Sequence, residues 1–139
     1  MQMHKILPHA TLAGVSEARE QVEEWRELAR QVAALSCRLD KALHGHGLGM
    51  SEFEVLDRLA DHRGSCEGLR MQELSEAVHL TQSALSRAVA RLEKEGLVRR
   101  SMCREDRRGV FVTLTEEGER RWEQACPDHR AVISEAFAR

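Results

Sequence analysis

A change of apolar period after Gly96 constrains the fold of this chain more than any other feature. Before it, three apolar residues spaced i, i+4 and i+7 predict a helix from Thr81 to about Glu95, namely Leu85, Val89 and Leu92. After it, residues 97–101 and 110–114 alternate with a period of two, which predicts two strands joined by a charged loop. A short helix over residues 71–77 precedes this segment. Helix, turn, helix and hairpin in this order predict a winged helix-turn-helix over residues 70–115.

The helix after Thr81 has the two faces that a DNA-reading helix needs. One face must be apolar so that it docks on the domain, and the other must be small and polar near the N-terminus so that the backbone can approach the bases. Ser and Gln side chains can bind base edges, and Arg can bind guanine or phosphate. The predicted DNA-binding residues of this helix are Thr81, Gln82, Ser83, Ser86, Arg87 and Arg91. The alternative is an ordinary amphipathic helix with a solvated polar face.

The hairpin loop favours the DNA-binding interpretation. Arg104, Arg107 and Arg108 lie in it beside Glu105 and Asp106, and a narrow minor groove attracts arginine. The whole chain has a net charge of −2. Residues 68–109, however, contain nine Lys or Arg against six acids, so this segment is +3 and the remainder is −5. A basic centre between acidic flanks is the distribution expected when one face of a protein contacts phosphate.

Two stretches of sequence resemble the MarR family of regulators: LTQSALSRAVARLEKEGLVRR (residues 80–100) and DRRGVFVTLTEEG (residues 106–118). The resemblance implies a homodimer that binds a pseudo-palindromic operator, usually as a repressor that a small ligand or oxidation releases. It also implies that Arg108 enters the minor groove, and that Asp106 braces the wing arginine. Family members usually carry a further helix after the position of Arg139, so the chain is either naturally short or truncated at this point.

A long amphipathic helix is predicted before the winged segment, with Ser16 as its N-cap and its end near Leu43. Its apolar residues recur at steps of three and four: Trp25, Leu28, Val32, Leu35, Leu39 and Ala42. At ~1.5 Å per residue such a helix spans ~40 Å, which is more than one small domain covers. We therefore expect part of its stripe to pack on a second chain.

Further caps and breaks complete the predicted arrangement. Ser51 with Glu54 is expected to form a capping box, Thr115 to cap a final helix, and Pro127 to kink or interrupt that helix. Apolar contacts of the final helix are expected from Trp122, Ala125, Val132, Ile133 and Phe137.

The predicted fold class is mainly α with a small β-hairpin wing, a winged helix-turn-helix plus dimerisation helices. The predicted domains are an N-terminal arm (residues 1–15), a helical dimerisation region (16–50 and 115–139) and a DNA-binding lobe (51–114).

Several side chains are candidates for sensing a signal, each with a plainer alternative. Trp25 and Arg26 could bind a small aromatic or acidic effector, and the alternative is that Trp25 packs in the dimer interface. Cys37 and Cys103 could sense oxidants, Cys103 being next to Arg104, although isolated cysteines are usually inert. A zinc site built from Cys37, His44, His46 and His62 has no tight ligand motif, so a solvated histidine cluster is preferred and no metal is predicted.

Several other classes of function are not expected from the sequence. It has no P-loop, GxGxxG or nucleophile elbow, so no enzyme activity and no cofactor are predicted. It shows no signal peptide or apolar run of about 20 residues, so no membrane partner and a cytoplasmic location are expected. The predicted function is a DNA-binding transcriptional regulator responsive to a small molecule. The alternatives are a thiol-based redox sensor of the same fold and a winged-helix protein-interaction module.

Overall fold

The computed structural model describes residues 12–62, 68–102 and 109–138. Within these ranges the helices are α1 (Leu12–His44), α2 (Met50–Ala60), α3 (Met71–Ala77), α4 (Gln82–Lys94) and α5 (Glu116–Ala136). The strands are β1 (Leu69–Arg70), β2 (Val98–Met102) and β3 (Val110–Leu114). The mainly α class with a small β wing is confirmed, and the predicted helix after Thr81 and strand 110–114 have the expected bounds.

The three strands form one antiparallel sheet in the order β1-β3-β2. Val112 in the central strand faces Leu69 on one side and Arg100 on the other. Strand β1, which has only two residues, is not among the elements predicted from the sequence. Gly68 precedes it with φ +71°, and a Cβ there would lie 2.1 Å from the carbonyl oxygen of Val112, so only glycine allows this close pairing.

One hydrophobic core joins α2, α3, α4 and the sheet. Leu85, Val89 and Leu92, which the sequence predicted to form the apolar face of α4, are all buried. Further buried residues of the helices are Phe53, Val55, Leu56, Leu59 and Leu74. Leu43 and Leu48 enter the core from before α2, and Leu97, Val98 and Val112 enter it from the sheet. Ala125 contributes from α5. The core is therefore mainly aliphatic, with Phe53 as its one fully buried aromatic among the described residues.

Two predicted helix starts are wrong, and α5 is not interrupted at Pro127, which lies inside the helix as the sequence predicted. Helix α1 already includes Ser16, so this serine is not its N-cap. Helix α2 begins at Met50, and its first turn is closed by Glu52, whose Oε1 accepts the Gly49 N–H at 3.2 Å; Ser51 and Glu54 lie inside the helix. Pro127 lies inside α5 without ending it.

The continuity of α5 has a physical reason. Proline removes one helical hydrogen bond and crowds the preceding turn, but Ala125 and His129 on either side of Pro127 are buried. Tertiary packing thus keeps α5 continuous through the position where isolated propensity would break it. Phe137, expected to make apolar contacts, is 71% exposed, which corrects that expectation.

The chain divides into two units, residues 1–36 and residues 37–139. In the first unit, residues 13–34 of α1 are exposed, including Trp25 at 66%. Surface ion pairs join Arg26 to Glu23 and Arg30 to Glu27, each at 2.8 Å. In the second unit, Leu39 and Leu43 are buried. None of the helices in the described ranges contains an apolar run that could span a bilayer.

Candidate nucleic-acid interface

Helix α4 is the central element of the interface, and its start is fixed by Thr81. The Thr81 hydroxyl accepts the Ala84 N–H at 3.1 Å, which satisfies one of the donors left open at a helix N-terminus. Leu85, Ala88 and Val89 then anchor the helix in the core. Thr81 is therefore the N-cap of α4, and the apolar side of this helix is buried in the core.

The other side of α4 is exposed, as the sequence predicted. All six side chains expected to bind DNA lie there: Thr81, Gln82, Ser83, Ser86, Arg87 and Arg91. At 100° per residue, Ser83 and Arg87 share a stripe with Lys94, which is not among the site residues predicted from the sequence. The steps of four and seven residues could have identified Lys94. Over the described ranges neither Arg87 nor Lys94 takes part in an ion pair, so both cations are open to an anionic partner.

Ion pairs lie on both flanks of this stripe. On one flank Arg91 Nη1 donates to Glu52 Oε2 of α2 at 3.1 Å. On the other flank Arg100 of β2 lies 3.5 Å from Glu93, measured from Nε to Oε1. The two pairs join α4, the recognition helix, to α2 on one side and to the sheet on the other.

The base of the wing carries further basic side chains. Arg99 on β2 is exposed, and the Arg70 guanidinium lies over the Phe111 ring at 5.4 Å from its centroid. The loop residues predicted to bind or brace DNA contacts, Arg104, Asp106, Arg107 and Arg108, lie outside the described residues, as does Cys103. Their roles therefore remain predictions.

The start of α5 is bonded to the turn that follows α4. The Thr115 hydroxyl donates to the Gly96 carbonyl at 2.7 Å and accepts the Gly118 N–H at 3.0 Å. The Thr115 N–H donates to the Leu97 carbonyl at 3.1 Å. Thr115 is therefore both the predicted cap of α5 and a clamp on the end of the recognition helix.

A polar network connects α2 to α5. Asp57 accepts from the Trp122 indole at 2.8 Å and from both terminal nitrogens of Arg130, at 2.7 and 3.2 Å. Burial raises the pKa of Asp57, but the hydrogen bonds from Arg130 and Trp122 outweigh it and hold this pKa below its ordinary value. The hydrogen bond to Asp57 in turn raises the pKa of Arg130. The two side chains thus form a charged pair between the helices.

His129 lies beside this network and stacks on Phe53, with ring centroids 4.3 Å apart. Its Nδ1 lies 2.7 Å from Arg130 Nη1, so it accepts from the guanidinium. Burial lowers the pKa of His129 and the positive charge of Arg130 lowers it further, against a smaller opposing effect of Asp57. His129 therefore favours its neutral form.

Several candidate sensor residues have local contacts of their own. Arg26 is paired with Glu23, and Cys37 is an exposed free thiol. His46 Nε2 lies 2.6 Å from Asp128, and His62 Nδ1 lies 3.2 Å from the Arg58 carbonyl. In the described part of the chain no group of three or more His, Cys, Asp or Glu side chains has a metal-binding arrangement.

A docked helix with an exposed polar face, followed by a β wing, defines a winged helix-turn-helix protein of the DNA-binding class. A model of the MarR family matches residues 46–109. The regulator MhqR of Bacillus subtilis is 32% identical over 111 residues, which cover 80% of this chain and 74% of MhqR. The chain belongs to the MarR family of transcriptional regulators.

Solved structures agree with this assignment. The MarR family regulator Sco3205 from Streptomyces coelicolor, in complex with DNA, is 37% identical with a TM-score of 0.76, covering 85% of this chain and 76% of that one. CouR from Rhodococcus jostii RHA1, bound to p-coumaroyl-CoA, is 28% identical with a TM-score of 0.70, covering 79% and 75%. Both MhqR and Sco3205 are named as transcriptional regulators, not as enzymes.

Proposed function

We propose that this protein is a homodimeric repressor that binds a pseudo-palindromic operator and is released by a small aromatic or acidic effector. The observation that carries the DNA-binding part is the exposed stripe on α4, which presents hydroxyl, amide and guanidinium groups while the opposite face is buried. Sco3205, which resembles this chain in fold and sequence, forms a complex with DNA. No catalytic activity and no cofactor are part of this proposed function.

The proposed DNA contacts divide by chemistry. Gln82, Ser83 and Ser86 have short polar side chains near the N-terminus of α4, which suits contacts to base edges in the major groove. Thr81, Arg87 and Arg91 suit phosphate or guanine contacts. In the wing, Arg107 and Arg108 are proposed to enter the minor groove, with Asp106 bracing them.

Substitution of Arg87 tests the α4 interface. A duplex is first selected from a random pool by the wild-type protein, and its affinity is then measured by fluorescence anisotropy at one fixed salt concentration. Arg87→Ala is expected to weaken binding by about 1–3 kcal/mol, and Arg108→Ala to weaken it without unfolding the protein. Arg120→Ala, which removes the same charge from α5 where Arg120 pairs with Glu117, is the control and should leave affinity nearly unchanged. Equal affinities of wild type and Arg87→Ala would contradict the assignment.

The proposed dimer interface is the apolar stripe of α1. Its members are exposed and recur at steps of seven, three, three and four residues: Val15, Val22, Trp25, Leu28 and Val32. A contiguous apolar stripe on a charged helix is the surface that a second chain covers. Two recognition helices related by a dimer axis would reach half-sites about 34 Å apart. Sedimentation is expected to show a dimer at micromolar concentration, and Leu28→Ser with Val32→Ser to shift it towards monomer; a wild-type monomer would refute this part.

The effector is proposed to contact Trp25 and Arg26, as an aromatic and a cationic side chain suit an aromatic acid. CouR, which binds p-coumaroyl-CoA, supports this class of ligand. Added p-coumarate or another aromatic carboxylate should release the selected duplex from wild type and act more weakly on Trp25→Leu. Unaltered release from Trp25→Leu would leave Trp25 with the interface role alone.

Two alternatives give different results in the same titrations. A thiol sensor would release DNA on mild oxidation, and Cys37→Ser or Cys103→Ser would abolish that release. A protein-interaction module would select no duplex even at low salt, whereas a DNA-binding protein should lose affinity steeply as salt rises, with a log–log slope of about −0.9 per phosphate contact.

A further inference from the structure

We infer that Glu52 is a positioning residue for DNA recognition, because it holds the Arg91 guanidinium in a fixed direction at the edge of the recognition helix. This inference rests on the proposed function and adds to it a residue on α2, outside the helix-turn-helix itself. The sequence pattern indicates Arg91 alone, since its partner lies 39 residues away along the chain.

The geometry holds the Glu52 carboxylate from two sides. Oε1 accepts the Gly49 N–H at 3.2 Å, and Oε2 accepts Arg91 Nη1 at 3.1 Å. The Glu52 side chain is only 9% exposed, whereas that of Arg91 is 64% exposed. The buried Glu52 carboxylate is therefore held in place and binds one end of the Arg91 guanidinium, whose remaining donors face solvent.

The position of Arg91 on α4 suits contact with a DNA phosphate. Arg91 follows Arg87 by four residues, so it lies about 40° around the helix from the central stripe, on the side facing α2. A guanidinium has five N–H donors, and the bond to Glu52 uses one of them. The others can bind phosphate, which is the contact that sets the register of a protein on a duplex.

Fixing the side chain before DNA binds has a defined consequence. A free arginine loses rotamer freedom when it binds, and a preorganised one loses less. A fixed register also aligns Ser83 and Ser86 with base edges, so Glu52 should affect the preference for the selected duplex over other duplexes. Its negative charge should slightly oppose binding to all DNA. The ratio of the affinities for the selected duplex and for other duplexes therefore distinguishes the positioning of Arg91 from the general electrostatic effect of the Glu52 charge.

A double-mutant cycle tests this role, with Glu52→Gln, Arg91→Ala and the combined variant. Each protein is titrated by anisotropy with the duplex selected by wild type and with a scrambled duplex of equal length. A phosphate contact without a positioning role would weaken binding to both duplexes equally. If Arg91 sets the register, its loss should cost about as much as one mismatched base pair, so Arg91→Ala should lower the ratio of the two affinities about tenfold and Glu52→Gln about three- to tenfold. In the Arg91→Ala background, Glu52→Gln should change this ratio no further.

Two controls keep the result specific to the pair. Glu93→Gln removes an acid from the opposite flank of α4, where it faces Arg100, and should not lower the ratio. Urea unfolding of each variant measures what the Gly49 cap contributes to the free energy of unfolding. If Glu52 had only this structural role, Glu52→Gln would lower the affinity ratio equally with and without Arg91.

Each possible result of the cycle supports or contradicts the positioning role of Glu52. Additive effects of the two substitutions, an unchanged ratio in Arg91→Ala, or an equal loss in Glu93→Gln would each overturn the positioning role while leaving the DNA-binding proposal intact. A wild-type protein that prefers no duplex would overturn the proposed function, and the inference with it. Loss in both single variants and no further loss in the combined variant supports it.

Discussion

Substitution of Gly118 by alanine should destabilise the protein although alanine is the better helix former. Gly118 is in the first turn of α5, and a Cβ at this position would lie 1.9 Å from the Leu97 carbonyl oxygen and 3.0 Å from Leu114 Cδ1. Real Cβ atoms essentially never approach another atom below 3.0 Å, so α5 and the turn must separate by about 1 Å. The same Leu97 oxygen accepts the Thr115 N–H at 3.1 Å, and this bond is strained by the separation.

The magnitude follows from opposing contributions to the free energy of unfolding. Alanine gains at most about 1 kcal/mol in helix propensity, overpacking costs about 1–3 kcal/mol, and a weakened hydrogen bond costs about 1 kcal/mol. The net loss in unfolding free energy is therefore about 1–3 kcal/mol. At about 4 °C per kcal/mol for a chain of this size, Tm should fall by about 4–12 °C.

Urea unfolding followed by circular dichroism, at equal protein concentration, measures this loss. Gly45→Ala is the matched control, because a Cβ there meets nothing within 4 Å and its φ is not left-handed. The control should change stability by less than about 1 kcal/mol. A Gly118→Ala protein as stable as wild type would refute the close approach of α5 to Leu97.

Three further predictions concern the α2–α5 contact. Neutral His129 stabilises the fold, so wild type should lose unfolding free energy relative to His129→Gln as pH falls below the ordinary histidine value of 6.5; parallel stability curves from pH 7 to 5 would contradict this. Asp57→Ala should cost about 1–3 kcal/mol in chemical denaturation because it removes the acceptor of Trp122 and Arg130, and a neutral effect would show that the network adds nothing. Phe53→Ala, at a fully buried position, should cost about 3–5 kcal/mol, and a loss below about 1 kcal/mol would mean that the core collapses around the gap.

The elements that sequence predicted best are those specified by local residues. Apolar spacing defined α4, alternation defined β3, and Thr81 and Thr115 each precede a helix whose first turn needs an acceptor. These signals lie within a few residues of the structure that they specify. The exposed face of α4 followed directly from its buried face.

The errors and omissions depend on contacts between distant residues. Both Gly49 and Ser51 are followed three residues later by a glutamate. Glu52 is the one that closes the first turn of α2, and it also binds Arg91, which lies 39 residues away. Pro127 is tolerated because buried neighbours hold α5. Strand β1 is too short to show any period. The pairing of Asp57 with Arg130 spans 73 positions, and no local pattern indicates it.

The two tryptophans of the sequence occupy contrasting environments. Trp25 is largely open to solvent, whereas the Trp122 indole is half-buried and donates to a carboxylate between α2 and α5. One indole therefore reports on each of the two units, and their emission should differ in wavelength and in access to a quencher such as iodide. When each tryptophan is replaced in turn by phenylalanine, the fluorescence of the remaining tryptophan reports on its own unit without an added label. Association of chains through α1 and loosening of α2 from α5 could then be followed separately in one cuvette.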